Sequence, residues 1–107
     1  MRWSVGYLNE EIKEALDALP ADLRASFQRI VELILAHGLE RVREPYLKHL
    51  EGPLWEMRLK GGSGIARAIY VTATGMRIVV VHIFAKKTRK TPRQEIIQAL
   101  KKAKEVQ

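Results

Sequence analysis

The chain has 107 residues, of which 47% are apolar and 29% charged, and this fits one domain over residues 1–107. It contains no cysteine, which excludes a disulfide framework and a thiolate zinc site. The three histidines lie far apart without metal-ligand spacing, so we expect no metal and no other cofactor. No apolar run approaches the roughly 20 residues of a membrane span, and the first residues lack a signal-peptide core. We therefore expect a cytoplasmic protein without a membrane partner.

The net charge of +7 is concentrated in the middle of the chain. From Met1 to Glu56 there are seven Lys and Arg against ten Asp and Glu, whereas from Met57 to Gln94 there are nine against none. A local excess of this size attracts polyanions, and nucleic acid is the leading candidate. The alternative is a charge that serves solubility alone.

The first half of the chain predicts a strand followed by two helices. Residues 3–8, "WSVGYL", are rich in aromatic and β-branched residues, as strands are. Asn9 stands at an N-cap position before apolar residues at helical spacing. A second helix follows Pro20, which the first turn of a helix tolerates, and stops at Gly38. These helices form a hairpin whose apolar face needs a sheet to cover it.

The second half predicts three antiparallel strands and a last helix. Residues 39–53 are interpreted as a connection, with a short turn at "YLKHL". Strand-like runs follow at residues 54–60, 65–74 and 76–85, separated by "GGSG" and by Gly75, which suit hairpin turns. Thr91 as N-cap, Pro92 at the first helical position and Gln94 at the third make a capping-box pattern for the last helix. The fold class is α+β, with helices packed on a small, mostly antiparallel sheet.

Strand alternation sorts the side chains of the first of these strands into two faces. It places Trp55, Met57 and Leu59 in the core, and Glu56, Arg58 and Lys60 on the opposite face. Arg67 interrupts an apolar run in the next strand. If Arg67 shares a face with Arg58, the two like charges need an anion or a carboxylate between them. Glu56 could be that partner, in which case the pairing is purely stabilising.

The last strand carries the remaining candidates. His82 lies in an apolar run, where it is either a satisfied core residue or a group for proton transfer. At the end of the strand, alternation sends either Lys86 or Lys87 to the same face as the arginines. Other cations of the region are expected to contact RNA: Lys60, Arg77, Arg89 and Lys90.

The ordered set "LWEMR", a Gly-rich turn, "ARAIY", "RIVVVHIFAKKTRKTP" and "EIIQALKKAKE" resembles the RelE/HigB superfamily of bacterial toxins, in its phage-related HigB-like branch. The resemblance covers nearly the whole chain, and "FAKKTRKTP" is its most specific piece. It implies a ribosome-dependent endoribonuclease that cleaves mRNA without a metal. It also implies inhibition by a cognate antitoxin, a helix-turn-helix DNA-binding protein. The toxin would contact operator DNA only indirectly, through this antitoxin.

By position, the resemblance gives catalytic roles to cations of the strands. Arg58 and Arg67 match the strand cations that are expected to hold the scissile phosphate. Lys86 or Lys87 matches the basic residue at the end of the last strand. His82 is one candidate base. The region after Phe84 departs from the family's pattern, because it holds no Tyr or Asp for proton transfer, and the identity of the base stays open. Two other functions stay open: a module that binds RNA or protein without cutting, and a gyrase inhibitor similar to ParE.

Overall fold

The computed structural model describes residues 2–86 and 90–106, which form five strands, three α-helices and one 3-10 turn. In chain order these elements are β1 (Ser4–Tyr7), α1 (Glu10–Asp17), α2 (Ala21–His37), the 3-10 turn (Leu39–Arg41), β2 (Leu47–Glu51), β3 (Leu54–Gly61), β4 (Gly64–Ala73), β5 (Arg77–Lys86) and α3 (Arg93–Ala103). None of the helices in the described residues is both long and apolar enough to cross a membrane.

All five strands form one sheet in the order β1-β5-β4-β3-β2. β1 runs parallel to β5, and every other neighbouring pair is antiparallel. Gly75 supplies the left-handed backbone, with φ of 83°, that the turn from β4 to β5 requires. The sheet confirms the predicted α+β class and the three antiparallel strands.

One face of the sheet is covered by α1 and α2. The side-chain oxygen of Asn9 accepts a hydrogen bond from the backbone N–H of Ile12, which confirms the predicted cap of α1. Pro20 lies one position before α2, and Gly38 ends it with a φ of 91°. The buried helix residues are Ile12, Leu16, Leu23, Phe27, Ile30, Val31 and Ile34. They pack in one cluster with the buried strand residues Met57, Leu59, Ala66, Ala68, Tyr70, Ile78 and Val80. The predicted helical hairpin therefore covers the sheet as expected.

The opposite face of the sheet is covered by α3. Ala99 of this helix packs on a second apolar cluster made of Leu54, Ile69, Val71, Val79 and Val81. A register shift in β5 sets both Val81 and His82 toward α3, because one extra residue enters the strand there. This apolar cluster does not include the last residues of β3 or the first residues of β4. Charged side chains, among them the buried Arg67, lie on that part of the face.

Residues 39–53 are not the plain connection that the sequence predicts. They contain the 3-10 turn and β2, whose five residues pair with β3 at the edge of the sheet. This strand is preceded by Pro45 and followed by Gly52 and Pro53, which are residue types typical of loops. Pairing with β3 stabilises β2, and the residues of β2 alone do not predict that pairing.

Two further predictions are wrong. Trp55 is 40% exposed, because α1 and α2 do not cover this end of β3, and its ring contacts His49 with the centroids 5.0 Å apart. Thr91 does not cap α3, where Pro92 holds the N-cap position without a side-chain hydrogen bond. The Thr91 hydroxyl instead donates to Glu56 Oε1 at 2.7 Å, so its hydrogen bond joins the start of α3 to β3.

Candidate phosphate-binding site

The face of the sheet that carries α3 also carries three rows of paired residues from β3, β4 and β5. The first row is Glu56, Ile69 and His82; the second is Arg58, Arg67 and Phe84; the third is Lys60, Ile65 and Lys86. Lys48 of β2 extends the first row beside Glu56. The charged members of these rows, Lys48, Glu56, Arg58, Lys60, Arg67 and Lys86, are called the ionic cluster below.

Arg58 and Arg67 are directly paired across β3 and β4, which confirms that they share a face. Like charges in this arrangement repel unless a counter-charge lies nearby. Arg67 has only 3% of its surface exposed, and its Nε lies 3.3 Å from Glu56 Oε1. This contact is an ion pair without hydrogen-bond geometry, and Nε has no hydrogen-bond partner in the described residues. Burial lowers the pKa of the Arg67 guanidinium, Glu56 opposes that effect, and Arg58 adds to it.

Glu56 is the only carboxylate among the charged groups of the ionic cluster. It is 2% exposed, and it accepts the Thr91 hydroxyl while it neutralises Arg67. Within the described residues, no carboxylate lies within ion-pair distance of Arg58. The ionic cluster therefore keeps an excess of positive charge after its internal pair is counted.

Lys86 ends β5 inside this cluster and is 5% exposed. Burial lowers the pKa of its ammonium group from 10.5 to about 8, and the charges of Arg67, Arg58 and Lys48 add to the effect while Glu56 opposes it. A lysine with this pKa is mostly protonated at neutral pH and can still release its proton readily. That combination suits general acid catalysis as well as electrostatic stabilisation.

A cleft of about 610 Å³ opens between the end of β3, the start of β2 and α2. It is lined by Ser26, Arg29, Pro45, Tyr46, Arg58, Leu59, Lys60, Ile65 and Arg67. Four of these residues are cations, and none of the described residues that line the cleft is a carboxylate. We call this space the cationic cleft, and it has the size and charge to hold a phosphodiester.

Contacts between α2 and the hairpin of β3 and β4 fix one wall of the cationic cleft. Ser26 Oγ accepts the backbone N–H of Lys60 at 3.1 Å. The Asp22 carboxylate accepts the backbone N–H of Ser63 at 2.7 Å and also the Ser63 hydroxyl, and these hydrogen bonds lower the pKa of Asp22. As a result, Arg29 of α2 is held on the same cleft as the cations of the sheet.

The structure places His82 away from the cationic cleft. Its Nε2 lies 2.6 Å from Glu95 Oε1, and its Nδ1 lies 2.9 Å from Lys102 Nζ. Since an ammonium group can only donate, Nδ1 accepts and the Nε2–H donates to Glu95. Both ring nitrogens are therefore engaged with α3.

The remaining predicted residues divide into four groups. Lys60 lines the cationic cleft, whereas Arg77 lies at the other end of β5 from Lys86, nine residues or roughly 30 Å along the strand. Arg77 Nε donates to the carbonyl of Thr74 there. Lys90 is exposed at the start of the segment that leads to α3. Lys87 and Arg89 lie outside the described residues.

Sequence reasoning missed Arg29, Tyr46 and Lys48. Arg29 lies on the exposed side of α2, where an arginine is indistinguishable from a solvated surface charge. Tyr46 and Lys48 fall in residues 39–53, which the sequence predicts to be a connection. Alternation along β2 places Lys48 on the same face as Glu56, but the sequence does not predict β2.

A second cleft, of about 560 Å³, surrounds His49 and Trp55 on the other face of the sheet. It is largely apolar and contains none of the predicted site residues. In the described residues, no group of three or more His, Asp or Glu side chains is arranged to hold a metal ion.

The chain thus combines a small α+β fold with a cleft lined by cations. Residues 14–104 match the family described as phage derived protein Gp49-like (DUF891), so the chain belongs to that family. This is a toxin-like family related to the RelE/HigB type toxins, and an antitoxin partner is expected in general. No curated protein matches the chain.

Proposed function

We propose that the protein is the toxin of a toxin–antitoxin pair, of the HigB-like branch, and that it cleaves mRNA on the ribosome without a metal. The observation that carries this proposal is the grouping of Arg58, Arg67 and Lys86 with one carboxylate, Glu56, on one face of the sheet, where both arginines also line the cationic cleft. The proposed inhibitor is a cognate antitoxin with a helix-turn-helix domain.

The proposed chemistry uses the nucleophile that RNA itself supplies. The 2′-oxygen attacks the neighbouring phosphorus, its proton passes to water, and the bond from phosphorus to the 5′-oxygen breaks. The products are a 2′,3′-cyclic phosphate and a 5′-hydroxyl. The enzyme has to align these atoms and to stabilise the negative charge that gathers on the phosphate oxygens.

Arg58 is the proposed direct ligand of the scissile phosphate. It lines the cationic cleft, it is half-buried, and no carboxylate of the described residues pairs with it. Arg67 is buried beneath it and held by Glu56, so its fixed charge adds to the field at the same phosphate. A guanidinium suits this role because its planar fork matches two phosphate oxygens.

Lys86 is the proposed proton donor to the departing 5′-oxygen. With a pKa of about 8, its ammonium group is present at neutral pH and is a stronger acid than an ordinary lysine. Lys87 stays a candidate for the same role from sequence, since it lies outside the described residues. His82 is given a structural role, because both its ring nitrogens hold α3.

The experiment is a map of mRNA 5′ ends after brief expression of the protein, with Arg58→Ala and Lys86→Met as test variants. Arg77→Ala is the matched control, because Arg77 is a cation of the same sheet that lies far from the cleft. We expect new 5′ ends inside translated frames for the natural protein and the control, and at least a hundredfold fewer for the test variants.

Two other outcomes would contradict the proposal. Intact messages together with DNA damage would indicate a gyrase inhibitor similar to ParE. Growth arrest with neither cleaved messages nor DNA damage would indicate a module that binds RNA or protein without cutting. Cleavage that persists in folded Arg58→Ala would refute the role of Arg58.

A further inference from the structure

Tyr46 places an exposed aromatic ring on the wall of the cationic cleft. Tyr46 is 39% exposed and is one of the four large, highly exposed apolar residues among those that the structure describes. The other three, Leu35, Trp55 and Ile97, do not line this cleft. Tyr46 makes no ring–ring contact within the described residues. Its aromatic face is thus available beside the cations.

The backbone holds Tyr46 in a fixed position relative to Arg58. The Tyr46 carbonyl accepts the backbone N–H of Arg58 at 2.8 Å, and the Tyr46 N–H donates to the carbonyl of Arg43 at 3.0 Å. The ring and the guanidinium therefore start from neighbouring points, Tyr46 directly before β2 and Arg58 on β3. A ligand that places a phosphate on Arg58 brings its next group within reach of the ring.

Two more cations continue the cleft on its other wall. Arg29 comes from the exposed side of α2, and Lys60 comes from the end of β3, where its backbone is tied to Ser26. Neither side chain pairs with a carboxylate in the described part of the chain. The cleft therefore offers a series of positive charges with an aromatic face on one side.

A line of cations with an aromatic face is the arrangement that binds single strands of nucleic acid. The cations follow the phosphates, and unpaired bases stack on the ring whatever their identity. A base inside a duplex is already stacked on both sides and cannot use such a surface. The acidic alternative, a carboxylate-rich peptide, would use the cations but gains nothing from the ring.

We propose that Tyr46 is a stacking platform for an unpaired nucleobase next to the scissile phosphate, and that Arg29 and Lys60 hold the adjoining backbone. This inference rests on the proposed function, since it takes the phosphate at Arg58 to belong to RNA. It adds that the substrate enters as a single strand and that a base is recognised by its aromatic face.

The test measures binding of a short 2′-O-methyl RNA, which cannot be cleaved, by the fluorescence of a 2-aminopurine base. We expect Tyr46→Phe to bind like the natural protein and Tyr46→Ala to bind about tenfold more weakly. Trp55→Ala is the matched control, because Trp55 is equally exposed but lies on the other face of the sheet. An abasic nucleotide at the stacked position should remove the difference between Tyr46→Ala and the natural protein.

The inference is overturned if Tyr46→Ala binds as tightly as the natural protein, if Trp55→Ala loses as much affinity, or if the natural protein does not bind the oligonucleotide. It is also overturned if the matching RNA duplex shows the same dependence on Tyr46. If binding depends on Tyr46 but mRNA stays intact in cells, the proposed nuclease function is wrong and the proposed stacking role of Tyr46 is supported. If mRNA is cleaved in cells but Tyr46→Ala does not weaken binding, the nuclease function is supported and the stacking role of Tyr46 is wrong.

Discussion

The acid–base chemistry of Lys86 depends strongly on its surroundings. Its ammonium group is desolvated at the end of β5 and faces the positive charges of Arg67, Arg58 and Lys48. An isolated buried lysine would simply lose its proton, but Glu56 partly compensates the cluster and keeps the charged form accessible near neutral pH. The surroundings that suit Lys86 to the proposed proton transfer must therefore reduce the stability of the fold.

Replacing Lys86 by Met should stabilise the protein at pH 7, on the order of 2 kcal/mol in the free energy of unfolding. The folded-state pKa of about 8 lies below the 10.5 of the unfolded chain, so the cost of the buried charge is complete below pH 8. Between pH 8 and 10.5 the unfolded chain binds more protons, and the natural protein gains relative stability. Urea unfolding at pH 7 and pH 10.5 should show the advantage of Lys86→Met shrinking toward zero. An advantage that does not change with pH would contradict the assignment.

Arg67 illustrates how the structure changes the interpretation of a mutation. From the sequence, Arg67→Ala is expected to remove toxicity and to leave the fold intact. The structure shows that Arg67 is buried and paired with Glu56, so its removal leaves a buried carboxylate without its guanidinium. Loss of toxicity in that variant alone would not separate a catalytic role from a folding defect.

A double variant separates the two effects. Arg67→Ala should lose about 3 kcal/mol of stability, whereas Arg67→Met combined with Glu56→Gln should recover most of it. Cleavage of mRNA should stay absent in both, because neither restores the positive charge. Thermal unfolding and mapping of 5′ ends measure the two properties. A stable double variant that still cleaves would remove Arg67 from the site.

At the scale of elements, α3 is attached to the sheet by polar contacts as well as by its apolar face. His82 lies between Glu95 and Lys102, Arg93 pairs with Glu51, and the hydroxyl of Thr91 reaches Glu56. Because Glu56 also holds Arg67, the position of the helix start is linked to the ionic cluster. α3 thus supports the candidate site without lining its cleft.

His82→Ala should lower the free energy of unfolding by about 2 kcal/mol, since it leaves Glu95 and Lys102 without their shared partner. Hydrogen exchange should become faster in α3 and in the neighbouring part of β5. The folded variant should still cleave mRNA at the natural rate. If cleavage disappears while the fold persists, His82 is the base that the sequence alone suggested.

The sequence predicts most elements because their signals are local. Asn9, Gly38 and Gly75 each act on the backbone beside them, and the face shared by Arg58 and Arg67 follows from alternation. What it misses depends on distant partners. β2 is ordered by β3, and the hydroxyl of Thr91 binds Glu56, 35 residues away, instead of capping its own helix. Arg29 reaches the cleft only because α2 lies over the end of β3.

At the scale of the whole molecule, the net charge of +7 gives a salt dependence that can be measured. For single-stranded RNA, the logarithm of the binding constant falls with the logarithm of salt by about 0.7 for each phosphate contact. Arg29→Ala should reduce this slope by about 0.7. Arg24→Ala is the matched control, because Arg24 lies on the same helix and its Nε is bound to the Leu19 carbonyl. Equal slopes for the two variants would exclude Arg29 from the contact with RNA.

The residues of the ionic cluster come from four strands, and Thr91 follows all of them along the chain. No short segment of this protein carries a complete centre. A nascent chain therefore carries only scattered charges until the last strand joins the sheet. If the protein acts as the proposed toxin, folding sets the delay between synthesis and cleavage, and the proposed antitoxin can bind during that interval.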